Sequence, residues 1–70
     1  MPTREEIGAR LEACRAEKGI STEKAAVGLG ISVSSLLKYE NGERTPRDEI
    51  KIRLADFYNK SVQAIFFDLC

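Results

Sequence analysis

Ser21-Thr22-Glu23-Lys24-Ala25-Ala26-Val27-Gly28-Leu29-Gly30-Ile31-Ser32-Val33-Ser34-Ser35-Leu36-Leu37-Lys38-Tyr39-Glu40-Asn41-Gly42 holds two short apolar patterns of helical period, one on each side of Gly30. Ser21 and Ser32 each precede such a pattern, where a side-chain oxygen can accept an unsatisfied N–H of a helix's first turn. Ala25, Ala26 and Leu29 share one face of the first pattern, and Leu36 and Tyr39 lie one turn apart in the second. Gly30 falls where the chain must turn sharply, and glycine adopts positive φ without a Cβ penalty. Asn41-Gly42 closes the second pattern. The segment therefore reads as two helices, about Thr22–Leu29 and Val33 to Tyr39 or Glu40, across a tight turn. Gly28 weakens the first helix by about 1 kcal/mol relative to alanine, which predicts a fraying last turn.

Upstream, Thr3-Arg4-Glu5-Glu6 matches a capping box with Thr3 as N-cap and Glu6 reaching back. The helix it opens carries Ile7, Leu11 and Cys14 on one stripe and ends at Gly19. Downstream, Thr45 suits an N-cap, Pro46 the first helical position and Asp48 the third. The fourth helix then runs with Ile50, Leu54 and Phe57 as its stripe, and Ile50, Ile52, Leu54, Ala55 and Phe57 as its core contribution. Ser61 caps a last short helix whose apolar residues are Val62, Ile65, Phe66 and Leu69. Phe66 and Phe67 are adjacent, so a helix cannot turn both inward. Ile50-Lys51-Ile52 alternates, but three residues are too few for a strand. The expected fold is all-α, a compact five-helix bundle, and residues 1–70 read as one domain whose two-helix unit spans about 21–41. No internal repeat, low-complexity segment or linker interrupts it.

Seventy residues bury only a thin core, which suffices without a metal if the helices pack well. The chain is 43% hydrophobic and 31% charged, a globular balance. Eleven basic and eleven acidic residues cancel, so any binding to nucleic acid leans on local charge and on dimerisation rather than on an overall positive field. Histidine is absent, which excludes histidine-based catalysis and His-containing metal sites. Cys14 and Cys70 fit no zinc spacing. Cys14 is in phase with Ile7 and Leu11 and reads as a small core residue; Cys70, at the last position, reads as a free thiol able to form an intermolecular disulfide. No apolar run approaches the roughly 18 residues needed to cross a bilayer, and Met1-Pro2-Thr3-Arg4-Glu5-Glu6 lacks the apolar stretch of a signal peptide. A cytoplasmic location with no membrane partner is the expectation.

Two helices of this size across a glycine turn form a helix-turn-helix, in which one helix packs and touches phosphate while the next enters the major groove. Ile7-Gly8-x-Arg10-Leu11, Arg15-x-Glu17-Lys18-Gly19-Ile20-Ser21, Leu29-Gly30-Ile31-Ser32 and Lys38-Tyr39-Glu40-Asn41-Gly42-x-Arg44-x-Pro46 resemble the phage repressor/Cro type of helix-turn-helix regulator, also called the xenobiotic-response-element type. The likeness runs from about Arg4 to Phe67. It implies a lambda repressor-like DNA-binding domain that binds double-stranded operator DNA, commonly as a homodimer, with no cofactor. The family is common in bacteria and their phages.

The resemblance places roles on matching positions. Arg15 and Glu40 occupy the places of a buried ion pair between the first and third helices. Thr22 stands where relatives usually carry a glutamine that contacts phosphate; its hydroxyl and the helix N-terminal amides can still meet one. Val33, Ser34 and Lys38 match the positions that face base edges in the family, Ser32 lies at the rim of that face as a further candidate, and Leu37 lies near the outward face at a position where polar residues are common. Val33 can pack on a thymine methyl, Ser34 can donate or accept, and Lys38 can reach guanine or a phosphate. Leu37 can meet a thymine methyl, pack at the helix edge or bind a protein. Asn41 and Arg44 directly follow the recognition helix, where the family touches the DNA backbone, and Arg47 lies near the same phosphate path. Glu43 beside them opposes it electrostatically, and Lys24 reads better as a solvated surface charge. Asp48 and Lys51 depart from the apolar residues that many relatives carry. Val62, Ile65, Phe66, Phe67 and Leu69 exceed the packing needs of one short helix and form a candidate dimer interface.

Two function classes follow. The first is a sequence-specific transcriptional regulator, a repressor binding a palindromic operator as a homodimer, with an antitoxin-type autoregulator as a variant. The second is a helix-turn-helix fold used as a protein-interaction module, favoured by the neutral charge, Leu37 and the apolar C-terminus. An enzyme is the poorest fit, since no glycine-rich phosphate loop or paired carboxylates accompany the missing histidine.

Overall fold

Thr3 Oγ1 accepts the Glu6 amide at 3.1 Å and Glu6 Oε1 accepts the Thr3 amide at 3.0 Å, which starts α1 (Arg4–Lys18) as the sequence predicts. The computed structural model describes residues 2–67; Leu69 and Cys70, with the roles expected of them, lie outside these described residues. α2 (Thr22–Leu29), α3 (Val33–Glu40), α4 (Asp48–Tyr58) and α5 (Val62–Phe66) follow, and the described residues contain no strand. Ser21, Ser32 and Ser61 each accept the amide three residues on, at 3.1, 3.0 and 3.1 Å. Gly30 stops α2 in the left-handed region at φ 72°.

α4 starts differently from its reading in the sequence. Arg47, not Thr45, is the N-cap, and no side chain caps the helix. Pro46 is buried and precedes the helix instead of opening it. Packing of the proline ring thus overrides local capping preference, and Asp48 and Glu49 in the first turn supply the negative charge that a helix N-terminus favours.

α1 packs against α3, α4 and α5, α2 against α3 and α4, and α4 against α5. Leu11, Leu29, Leu36, Leu54 and Phe66 are the largest fully buried side chains. Cys14 is half-buried against this core, and burial pushes its thiol pKa up. Ile52 corrects the expected core: it is 55% exposed, while Tyr58 is buried. Leu54 and Tyr58 are one turn apart, so the buried stripe of α4 drifts past Ile52 and leaves it on the outer face.

Arginines close helix ends that lack a partner of their own. Arg53 donates to the Leu29 carbonyl at 3.2 Å, and Arg10 donates to the Ala64 and Ile65 carbonyls at 3.3 and 3.1 Å. Gly28 does not mark fraying. α2 is intact to Leu29, and the Phe57 ring lies against Gly28 so closely that a Cβ would sit 2.9 Å from Phe57 Cζ. Lys18 Nζ also lies over that ring, 5.1 Å from its centroid.

Candidate nucleic-acid interface

α3 has two sharply different faces. Leu36, Tyr39 and Glu40 turn inward and are buried, while Ser34 is exposed, Leu37 is 40% exposed and Val33 and Lys38 are half-buried. Ser32 is exposed, but its hydroxyl is engaged: it accepts the Ser35 amide and donates to Ser35 Oγ, both at 3.0 Å. The chain then folds back on the last turn of α3. The Asn41 amide donates to the Leu37 carbonyl at 2.8 Å, and the Glu43 and Arg44 amides donate to the Lys38 carbonyl at 2.9 and 3.3 Å.

α1 holds this helix at its C-terminal end. Arg15 Nε donates to Glu40 Oε2 at 2.8 Å and Nη2 to Oε1 at 3.2 Å, a two-pronged pair. The Glu40 side chain is 2% exposed and the Arg15 side chain 19%. Arg15 also donates to the Ile20 carbonyl at 3.1 Å, tying the α1–α2 turn to the same group. Hydrogen bonding to Glu40 raises the already high pKa of Arg15, so the guanidinium stays charged. Beside it, the backbones of α1 and α3 touch at Gly8, where a Cβ would lie 2.8 Å from the Glu40 carbonyl carbon and 2.9 Å from the Tyr39 carbonyl oxygen. Gly42 makes the next contact: φ is 75°, and a Cβ would stand 3.0 Å from Glu5 Cα.

Tyr58 closes the underside of this pair. Its hydroxyl is buried and meets no hydrogen-bonding protein group among the described residues. Burial, with the Glu40 charge adding to it, pushes its pKa up to about 12 from 10. A raised folded-state pKa leaves stability intact below the unfolded value near 10 and removes it as pH climbs through 12. Wild type is therefore expected to lose about 2 kcal/mol between pH 10 and 12 that Tyr58→Phe retains. At neutral pH Tyr58→Phe is expected to be as stable as wild type or more so, since it removes an unsatisfied buried hydroxyl. Denaturant titrations of both proteins across that pH range check it; parallel losses would overturn it.

The remaining polar positions surround α3. Thr22, at the start of α2, donates its hydroxyl to Glu23 Oε1 at 3.2 Å. Arg44, Thr45, Arg47 and Glu49 line an open groove of about 360 Å³ against Tyr39 and Ile50. Asn41, Arg44 and Arg47 are exposed. Elsewhere cations meet acids: Lys60 contacts Glu17 at 3.1 Å and Lys51 contacts Asp48 at 3.8 Å. The side chains of Lys24, Lys38, Arg44 and Arg47 form no such pair among the described residues. Glu23 and Glu43, in the same stretch, form no such pair among the described residues either, so α2, α3 and the loop after it carry only a small local excess of cations within the neutral sum.

The C-terminal apolar residues divide. Ile65 and Phe66 are 2% and 1% exposed, so the protomer's own core consumes them and they offer no surface to a partner, contrary to the sequence expectation. Val62 and Phe67 are half-buried and line a groove of about 290 Å³ with Asp48, Lys51 and Ile52. Lys51 lies over both phenylalanine rings, 5.6 Å from the Phe66 centroid and 5.3 Å from that of Phe67, which explains a lysine where an apolar residue is usual. Tyr58 and Arg53 were not singled out from sequence, and Gly8 and Arg10 only as parts of a motif with no role assigned. Tyr58 had a detectable signal in its spacing from Leu54; the others depend on contacts 24 or more residues away.

Comparison with known proteins agrees with this geometry. Residues 6–63 match a family described as "Helix-turn-helix domain". The chain is 28% identical over 62 residues to the cryptic phage CTXphi transcriptional repressor RstR of Vibrio cholerae, covering 89% of this chain and 56% of that protein. It thus spans about half the length of that curated relative. The crystal structure of the clp gene regulator ClgR from C. glutamicum superposes with a TM-score of 0.82 at 26% identity, over 97% of this chain and 90% of the other.

Proposed function

This chain belongs to the helix-turn-helix domain family, of the phage-repressor type, and from that premise we propose that residues 1–70 form a single DNA-binding domain of a transcriptional regulator. The observation that carries the reading is the outward face of α3, tied to α1 through the Arg15–Glu40 pair, with Lys38 on that face and Arg44 and Arg47 on the loop that follows, none of the three in an ion pair among the described residues. In this reading Ser34, Leu37 and Lys38, with Val33 and Ser32 at the rim, meet base edges in the major groove. Asn41, Arg44, Arg47 and Thr22 meet phosphates and set the register. The protein works in the cytoplasm by binding double-stranded DNA and excluding polymerase, and catalyses nothing. It binds a palindromic operator as a homodimer, with half-sites roughly 34 Å apart. Val62, Phe67 and the exposed Ile52 are the apolar residues available for that dimer.

Selection from a random duplex library at low and physiological salt tests the proposal. Enrichment of a two-fold-symmetric site is expected, with affinity falling as salt displaces the phosphate contacts. Lys38→Ala is expected to leave the fold unchanged and to weaken the selected site by about 1–3 kcal/mol if Lys38 reads a base. A uniform loss on all sequences, with a salt slope reduced by about one, would place Lys38 on a phosphate instead. Unchanged affinity would remove Lys38 from the interface.

A second reading has one observation in its favour. Val27 on α2 is 82% exposed, an apolar side chain facing solvent on the helix that flanks α3. A protein-interaction module would retain no duplex at any salt, and a partner would then be sought on that helix.

A further inference from the structure

We propose that α3 recognises the C5-methyl group of pyrimidines in the major groove, with Leu37 as the principal contact; this rests on the DNA-binding reading above. The polar chemistry of the outward face is sparse. Ser32 spends its donor and one of its two acceptor lone pairs on Ser35, so Ser34 and Lys38 are the outward groups of α3 with free donors. Lys38 is the one outward group able to reach both O6 and N7 of a guanine; Ser34 forms no paired bonds, and α3 contains no Arg, Asn or Gln to identify further bases.

The largest apolar side chain offered by this face is Leu37, 40% exposed while its neighbour Leu36 is fully buried. Val33 lies one turn earlier and is packed against the core, so it backs Leu37 with a fixed, β-branched wall. Base-pair edges in the major groove present one apolar group, the C5-methyl of thymine. 5-Methylcytosine carries the same group. A protein partner fits the ridge poorly: two side chains bounded by Ser34 and Lys38 fall far short of the roughly 800 Å² per partner of a stable interface. The pins at Gly8 and Glu40 hold α3 on the rest of the fold, so Leu37 is presented from a rigid element.

Operators from the library selection, remade with deoxyuridine in place of thymine one position at a time, test the inference with the wild-type protein. Removing one contacted methyl is expected to weaken binding about fourfold. Leu37→Ala is expected to lose a similar factor on the thymine operator and to be indifferent to uracil at that position. Placing 5-methylcytosine rather than cytosine at that step separates the methyl from the rest of the base: a gain in affinity assigns the recognition to the methyl, and no gain overturns it. Equal affinity for thymine and uracil at every position overturns the inference while leaving the DNA-binding reading in place. A protein that selects no duplex overturns both.

Discussion

Glu40→Ala is expected to lower the melting temperature by roughly 15 °C. The Glu40 carboxylate is 2% exposed and takes both prongs of Arg15, so its removal leaves a largely buried guanidinium with the Ile20 carbonyl as its remaining hydrogen-bond partner among the described residues. Breaking a buried pair from one side costs about 3–5 kcal/mol. Arg15 keeps 19% of its side chain in contact with solvent, which favours the lower end. In a domain of this size each kcal/mol shifts the midpoint by roughly 4–8 °C. Thermal unfolding followed by circular dichroism measures it, and an unchanged midpoint would mean that the pair contributes nothing net. The double variant Arg15→Met/Glu40→Leu is expected to recover most of the loss, because the penalty comes from an unpaired buried charge rather than from the absence of a pair.

Gly8→Ala is the second large effect, and its sign runs against helix propensity. Alanine gains about 1 kcal/mol over glycine inside a helix. At Gly8 the new methyl would meet the carbonyl groups of Tyr39 and Glu40, which are backbone atoms and cannot change rotamer. Overpacking of this kind costs about 1–3 kcal/mol, and a backbone clash lies at the upper end, so a net destabilisation of about 2 kcal/mol is expected. Relief requires α3 to move away from α1. Amide chemical shifts are therefore expected to change most at Tyr39–Gly42, and affinity for a selected operator to fall more than tenfold while weak non-specific binding survives. Denaturant titration and amide spectra check both parts. Gly8→Ala as stable as wild type, with an undisturbed α3, would show that the helices separate without penalty.

Most of the helices were legible because their signals are local. A serine or threonine oxygen three residues from an amide, and a glycine that can turn left-handed, act over one turn of chain. Ser21, Ser32, Ser61 and Gly30 accordingly did what their spacing predicts. The start of α4 was not legible, because burial of Pro46 outweighs the capping chemistry of Thr45. Ile52 and the pair Ile65–Phe66 misled in opposite directions for one reason. Apolar character predicts a need for cover, but which neighbour supplies it depends on how α4 and α5 meet. Ile65 and Phe66 found cover inside the protomer, and Ile52 did not.

The residue types on the outward side of α3, the caps of α1, α2, α3 and α5 and the turn at Gly30 were determined by the sequence itself, because each depends on residues within a few positions of one another, and the lack of histidine chemistry follows from composition. Tertiary structure alone decided what holds α3 in place. Gly8 meets Glu40 across 32 positions and Arg15 meets it across 25, and a close approach of that kind has no local signature. It also decided where the charges are free. Eleven cations and eleven anions cancel in any linear count, but among the described residues packing pairs Arg15, Lys51 and Lys60 with acids and leaves Lys24, Lys38, Arg44 and Arg47 outside ion pairs, against only Glu23 and Glu43 in the same stretch. The field near a surface depends on such distances, which only the folded chain sets.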